Sequence, residues 1–464
     1  MKRRPKILLV TIHACRMPGS GGNVRSHFFA RTAAEIGDLT ILSLCSATRQ
    51  TFDPFIQSLC KKVIGGNSEI SEATHSRIRQ RASGLGVLIT PWKENWSALA
   101  ANCLQHCNGS SAHLGLKKWI FRQLLEIEQR FFFRLGVIAP MPCMTWHREY
   151  QKLIQQYHFE LNQEAFDILW VEDVYSWPYA RDLLTKLSTT PQKLICNTYN
   201  IESQVAARTA ALIHDASARN ALKRDRNQLE SMESDAYARS SLTIACSEED
   251  RRNGIELAPR GNFSVIGNGV DTSYFKAITN QQTDRKKLVL LFTGTFTYGP
   301  NPQAARYFAT EILPLIRQQI SDVTFMIAGS RAAETCNQLT AIGLDINCVS
   351  DPVDMRPCFS TASLFVVPIQ TGGGTRLKIL EAMAMGVPVV STSIGAEGLG
   401  AQHGTHLFIG DSAEEFAQRC VELLRDGVLQ QRLARNALDW VREKYDWKRL
   451  CQQTKTEVES LIDA

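Results

Sequence analysis

Nine short, β-branched apolar runs punctuate the chain: ILLVTI, LTILSL, DILWVE, KLICNT, LTIACS, LVLLFTGT, VTFMIAGS, LFVVPI and PVVSTS. Most are continuous and do not alternate with polar residues. A strand with one wet face alternates, so continuous runs imply strands buried on both faces, as in parallel sheets. Helical stretches separate them, among them Val24–Ile36, Pro302–Ile320 and Glu414–Arg425. Strand–helix alternation of this kind predicts an α/β fold of doubly wound sheets. It comes in two blocks, one starting at Ile7 and the other at Leu288, with the polar stretch FKAITNQQTDRKK, Phe275–Lys287, between them. The organisation expected is an N-terminal domain over 1–276, a linker over 277–287, a C-terminal domain over 288–446, and a last helix over 447–464 returning to the first domain. Ligands of such sheets bind outside the carboxyl ends of the strands, here in a cleft between the two domains.

The region from about 65 to 160 breaks the alternation and reads as a helical insertion. Its stretch Leu114–Pro140 mixes Trp119, Phe121, Phe131, Phe132 and Phe133 with Lys117, Lys118, Arg122, Arg130 and Arg134. Two readings stand: a helix resting on an anionic membrane surface, or one packed on the first domain. The net charge of +6 suits an anionic ligand or membrane surface but is too weak to argue for nucleic acid. No apolar run approaches the roughly eighteen residues of a membrane span. The start, Lys2-Arg3-Arg4 before ILLVTIHAC, mimics a signal peptide, but the run is short and interrupted by His13, so a first buried strand explains it better. The 13 cysteines show no CxxC pair and read as free thiols of a reducing, cytoplasmic compartment. Cys103 and Cys107, near His106 and His113, lack the spacing of the usual zinc ligands.

The stretch TGGGTRLKILEAMAMGVPVVST, Thr371–Thr392, carries the chemistry. Glycines after LFVVPIQT allow close backbone approach to a ligand. A helix beginning near Thr375 then points free N–H groups at it, an arrangement that favours phosphate. Leu377, Leu380 and Ala384 form a buried stripe, whereas Gly374, Lys378 and Glu381 share another face. Glu381 lies roughly 10 Å along the axis from Gly374. That span fits a nucleoside diphosphate, with diphosphate at Gly372–Thr375, Arg376 and Lys378 as the nearby cations, and Glu381 accepting ribose hydroxyls. Gly386 caps the helix and Pro388 stops it.

GGGTRLKILEAMAMGVPVVSTSIGAEGL resembles the donor-nucleotide motif of family 4 retaining glycosyltransferases of the GT-B fold, in the glycosyl transferases group 1, and of a subgroup with GGGTRLKxLEAMA. Further matches follow in order: SGGNVRSHFFARTAAEIGDLTILSL, YNIES, SLTIACSEEDRR with VIGNGVDTSYF, LLFTGTFTYGPNPQAARYFATEILPLIR, and YDW at Tyr445–Trp447. The resemblance implies two Rossmann-like domains, the first binding acceptor and the second a UDP- or GDP-type sugar. It also implies a retaining transfer of a hexosyl group to an acceptor hydroxyl, as in polysaccharide or lipid-linked glycan biosynthesis. The acceptor would be a glycan or a lipid-linked sugar, and the enzyme would work in the cytoplasm, peripherally on the inner membrane face if Leu114–Pro140 binds lipid. Neither cofactor nor metal is expected. Backbone N–H groups at Gly373–Thr375, with Arg376 and Lys378, would stabilise charge on the leaving diphosphate.

The chain departs from that family at several positions. The first of two glutamates usual there falls at Gly373, and Gly267 replaces the proline of its PNG segment. The Arg and Lys common early in the second domain are missing from GTFTYGPNPQ, so Arg376 and Lys378 take their part. Glu172 and Asp173 stand where many members carry histidine. Gly21, Gly22 and Arg25 are expected at the acceptor side, with Glu172 and Asp173. Gly294 and Glu397 are expected on the donor side, and Asn200 and Glu202 as wall residues. Two other readings remain open from sequence: a nucleotide-sugar epimerase of the same fold, or an inactive sugar-nucleotide-binding partner.

Overall fold

The computed structural model describes residues 3–13, 15, 21–44, 53–64, 154–155, 157–212, 216–276, 288–371 and 377–463. Outside the described residues lie the loop Gly372–Arg376, the 277–287 linker, the cysteines at 103 and 107, and the whole of Leu114–Pro140. The chain divides into two compact units: Met1–Ile244 with Arg252–Ser264, and Ala245–Arg251 with Val265–Ala464.

The first unit is built on β1 (Lys6–Thr11), β2 (Asp38–Ser43), β3 (Lys62–Ile64), β4 (Ile168–Glu172), β5 (Lys193–Asn197), β6 (Leu242–Ala245) and β7 (Phe263–Val265). Their order in the sheet is β3-β2-β1-β4-β5-β6-β7. β1 runs parallel to both β2 and β4, with Thr11 level with Ser43 on one side and Glu172 on the other. All five residues of β4 are buried. The helix Gly21–Ile36 follows β1, starting three residues before the Val24 expected.

The second unit holds β8 (Leu288–Thr293), β9 (Val323–Gly329), β10 (Ile346–Ser350), β11 (Leu364–Val367), β12 (Val389–Ser391) and β13 (Phe408–Ile409). The order is β10-β9-β8-β11-β12-β13, parallel throughout. Both sheets therefore reverse their winding once, between β1 and β4 in the first and between β8 and β11 in the second, and each reversal opens a crevice at the carboxyl edge. All nine apolar runs form strands. The strands the runs did not announce are β3, β7, β10 and β13, all at or next to sheet edges, where a strand needs no continuous apolar run.

Two expectations are corrected. The stretch Pro302–Ile320 is not one regular helix: Pro300–Tyr307 and Leu313–Arg317 flank a π-helical turn, Phe308–Ile312. Pro314 has no N–H to return to the preceding turn, and the Leu313 N–H reaches back to Phe308 O instead. Nor are the cysteines all free. Cys336, in the helix Ala332–Thr340, is disulfide-bonded to Cys348 of β10, because that helix folds back along the edge strand and brings their Cα atoms to 6.2 Å. Among the described residues no helix is long and apolar enough to cross a membrane.

Candidate functional site

In the first unit, the crevice between β1 and β4 is lined by side chains just past the strand ends. Glu172, the last residue of β4, is fully buried. Its carboxylate accepts hydrogen bonds from Trp170 Nε1 (2.8 Å), Tyr199 Oη (2.8 Å), Asn197 Nδ2 (2.9 Å) and Ser26 Oγ (3.3 Å). Burial pushes this carboxyl above its ordinary range, and the bonds from Asn197 and Tyr199 oppose the shift. Burial, with the Glu172 and Asp173 charges, keeps Tyr199 protonated as a donor. Arg25 is buried too: its guanidinium donates through Nε and Nη2 to Asn197 Oδ1 at 3.1 and 2.8 Å, and lies 4.6 Å from the Phe29 ring centroid. It braces the network from within.

Asp173 sits at φ 72°, a conformation that few non-glycine residues adopt. Its carboxylate meets His13 Nε2 at 3.0 Å and accepts the Tyr175 N–H at 3.3 Å. His13 follows β1, and its own N–H is held by Thr11 Oγ1 at 2.9 Å. Gly22 is required by this arrangement, since a Cβ there would stand 2.7 Å from His13 Cε1. Gly21 opens the helix beside it. Asn200 donates to Glu202 Oε1, which also receives Tyr175 Oη on its other oxygen.

In the second unit the helix Leu377–Ala384 is buried at Ile379, Leu380, Ala382, Met383 and Ala384. Burial runs around most of the helix, so Lys378 and Glu381 are partly covered and not solvated surface charges. Lys378 Nζ crosses to the end of β8, donating to Thr293 O at 2.6 Å and Asn301 Oδ1 at 2.8 Å, and lies 4.6 Å from the Phe292 ring centroid. It thus brings a cation to GTFTYGPNPQ, the segment that has none of its own. Gly294 is needed for that approach, because a Cβ would stand 2.7 Å from Asn301 Nδ2 and 3.1 Å from Lys378 Nζ. Glu381 lies one helical turn on. Burial pushes its carboxyl from 4.5 to about 7, moderated by the Lys378 charge. Among the described residues it makes no hydrogen bond or ion pair, which leaves a partly buried acceptor unused. Glu397 is exposed in the turn after β12.

Of the expected residues, Gly22, Arg25, Glu172 and Asp173 converge at one carboxyl edge, and Gly294 and Lys378 at the other, with Glu381 one helical turn beyond Lys378. Gly372, Gly373, Gly374, Thr375 and Arg376 lie outside the described residues. His13, Tyr199, Asn197 and Ser26 were not anticipated. The signal for His13 was its place directly after the first apolar run, where a polar residue ends ILLVTI.

Residues 287–426 match the family described as Glycosyl transferases group 1. A curated relative, an uncharacterised 44.6 kDa protein in the cps region of Klebsiella pneumoniae, is 29% identical over 168 residues, a match covering 35% of this chain and 43% of that protein. Among solved structures, the sucrose-phosphate synthase of Thermosynechococcus elongatus superposes with a TM-score of 0.64 at 13% identity, covering 99% of this chain and 100% of that one. Anabaena HepE in complex with UDP and glucose gives 0.59 at 14% identity, covering 98% and 100%. A glycosyltransferase from Rickettsia africae gives 0.56 at 12%, covering 100% and 99%. These likenesses identify the fold, the two-domain α/β GT-B architecture.

Proposed function

We propose that the chain is a retaining glycosyltransferase that moves a hexosyl group from a UDP- or GDP-sugar to an acceptor hydroxyl. The single observation that carries this is the coincidence, within the family-matched stretch 287–426, of Lys378 at the crevice of the second sheet and, one helical turn on, a Glu381 carboxylate with no partner among the described residues. Among the described residues the Glu381 carboxylate has no donor, as ribose hydroxyls require of their partner. Lys378 holds positive charge where the diphosphate of a nucleotide sugar would lie, and the glycine loop before it would add backbone N–H groups. As the bond from the anomeric carbon to the diphosphate oxygen breaks, that oxygen keeps the electron pair, and these fixed charges meet it. HepE has been solved with UDP-glucose, and the Klebsiella relative is encoded in a cps region. The first supports a nucleotide-sugar donor and the second a role in polysaccharide or lipid-linked glycan synthesis.

The test is calorimetry with UDP and GDP, followed by turnover of UDP-glucose, UDP-N-acetylglucosamine and GDP-mannose. Binding of one nucleotide, with release of the diphosphate and anomeric retention in the product, is expected. Binding without turnover would leave a sugar-nucleotide-binding partner, epimerisation of the free donor an epimerase, and no binding of either nucleotide would overturn the proposal.

A further inference from the structure

We propose that the turn Gly400–Leu407, between β12 and β13, is a pH-sensitive latch, closed by the neutral rings of His403 and His406 and released when those rings are protonated. Both rings act through the same atom. His406 Nδ1 accepts the Gln402 N–H at 3.0 Å, and His403 Nδ1 accepts the N–H of Ile409, in β13, at 2.9 Å. A main-chain N–H can only donate, so each Nδ1 offers its lone pair and each neutral ring carries its proton on Nε2. Protonation fills that lone pair and sets N–H against N–H. Each added proton therefore removes one of the bonds that close the turn.

The turn is built to be held by these bonds. Gly400 and Gly404 sit at φ 66° and 74°, and nothing lies within 4 Å of a Cβ at either, so both are hinges that no packing clamps. Tyr445 Oη donates to Leu399 O and pins the entry. Within the turn, the Thr405 and His406 N–H groups return to Gln402 O at 3.2 and 2.9 Å, and the Gly404 N–H to Leu407 O at 2.8 Å. His406 is half-buried, stacked on Trp440 with centroids 4.7 Å apart, whereas His403 is exposed and stacked on Phe408 at 5.4 Å. The charged group facing His406 is Lys444, on the helix that carries Trp440. Burial first, then the Lys444 charge, holds the His406 imidazole below its ordinary 6.5. Beside His403, Arg419 lies 5.6 Å from the Phe408 ring centroid and is paired with Glu422. Asp411 is taken up by Ser393, and Glu415 by the Asp411 N–H. Among the described residues neither ring has a carboxylate partner to offset the lost bonds. The sign follows for His406. Above pH 6.5 it is neutral whether the turn is closed or open. As pH falls below 6.5 the open turn takes up the proton first, and closure weakens until the lower pKa of the closed turn is passed.

The experiment uses the full chain labelled with 15N-histidine, together with hydrogen exchange corrected for the intrinsic pH dependence. At pH 8 the ring resonances of His403 and His406 should report the proton on Nε2. Between pH 8 and pH 5 the protection of the Gln402 and Ile409 amides should fall roughly tenfold or more, while β9 keeps its own. Replacing both histidines by Asn places an amide oxygen near each Nδ1 position, an acceptor that does not titrate. His403→Asn with His406→Asn should therefore stay protected at pH 5. His403→Phe with His406→Phe keeps the stacking rings without the acceptors and should already be unprotected at pH 8. A proton on Nδ1 at pH 8, equal wild-type protection at both pH values, or a Phe variant as protected as the wild type overturns the latch. So does an Asn variant that still opens at pH 5. Parallel loss of protection in β9 at pH 5 would show general acid unfolding and overturn it as well.

Discussion

Glu381 carries opposing demands from folding and from binding. An unfolded chain ionises this glutamate near 4.5, whereas in the fold burial raises it to about 7. Below pH 4.5 both states hold the proton and there is no penalty. Between 4.5 and 7 the unfolded chain ionises first, so the fold loses stability, and above 7 the loss is constant. At about 1.4 kcal/mol per pH unit the penalty is of the order of 3 kcal/mol. Glu381→Gln should therefore raise the melting temperature of the second unit at pH 8 and leave it nearly unchanged at pH 4, as calorimetry can show. Ribose hydroxyls favour the ionised form, so wild-type affinity for the nucleoside diphosphate should fall as pH drops below about 7, and Glu381→Gln should flatten that dependence. Glu381→Ala should weaken binding by about 1.5–3 kcal/mol, the scale of a hydrogen bond to a charged group. An unchanged dissociation constant would remove Glu381 from the site. Its place beside Lys378 was legible in sequence because helical spacing alone puts the two on one face. The reach of Lys378 to Thr293 and Asn301 was not, because it depends on how the helix packs on β8, some 85 residues away.

At the level of elements, two glycines separate backbone conformation from space. Gly386 ends the Leu377–Ala384 helix at φ 72°, and Val387 N–H returns to Ala382 O at 2.9 Å, but nothing lies within 4 Å of a Cβ there. Gly386→Ala should cost only the left-handed backbone, about 1–2 kcal/mol, and Gly386→Asn less. Gly329, at the end of β9, has φ 138°, and a Cβ would stand 2.1 Å from Gly294 O. Gly329→Ala must displace the backbone beside Lys378, so it should cost well over about 2 kcal/mol and weaken nucleotide binding as well. Equal melting temperatures for the two variants would refute the distinction. The Gly386 stop was readable as GVP after an apolar stripe. The Gly329 constraint was not, because it arises from two strand ends meeting across the sheet. The same holds for strands: β4 and β8 are announced by runs buried on both faces, whereas β10, with Asn347 and Cys348 exposed, is a strand only because β9 offers it an edge. The unannounced Cys336–Cys348 bridge follows from that pairing.

For the molecule as a whole, the net charge of +6 is modest, and the aromatic-basic stretch Leu114–Pro140 concentrates part of it. If that stretch rests on lipid, the chain should co-sediment with anionic liposomes, less so at high salt. Equal pelleting with neutral vesicles, or none with either, would count against it. The same accounting of charge bears on metal dependence. A metal-assisted transfer needs carboxylates open to the cation beside the diphosphate. Thr371–Met385 offers only Glu381, which the proposed function assigns to the ribose. The acidic pair of the first unit is already engaged: Glu172 accepts from Trp170, Asn197, Tyr199 and Ser26, and Asp173 from His13 and Tyr175. Binding a cation there would mean giving up hydrogen bonds in a buried network, each worth about 1–3 kcal/mol once its partner is stranded. Lys378, Arg376 and the helix start are left to meet the leaving-group charge. Turnover should therefore persist undiminished in excess EDTA after dialysis. Activity lost in EDTA and restored by magnesium or manganese would overturn this account and require the Glu172 network to open.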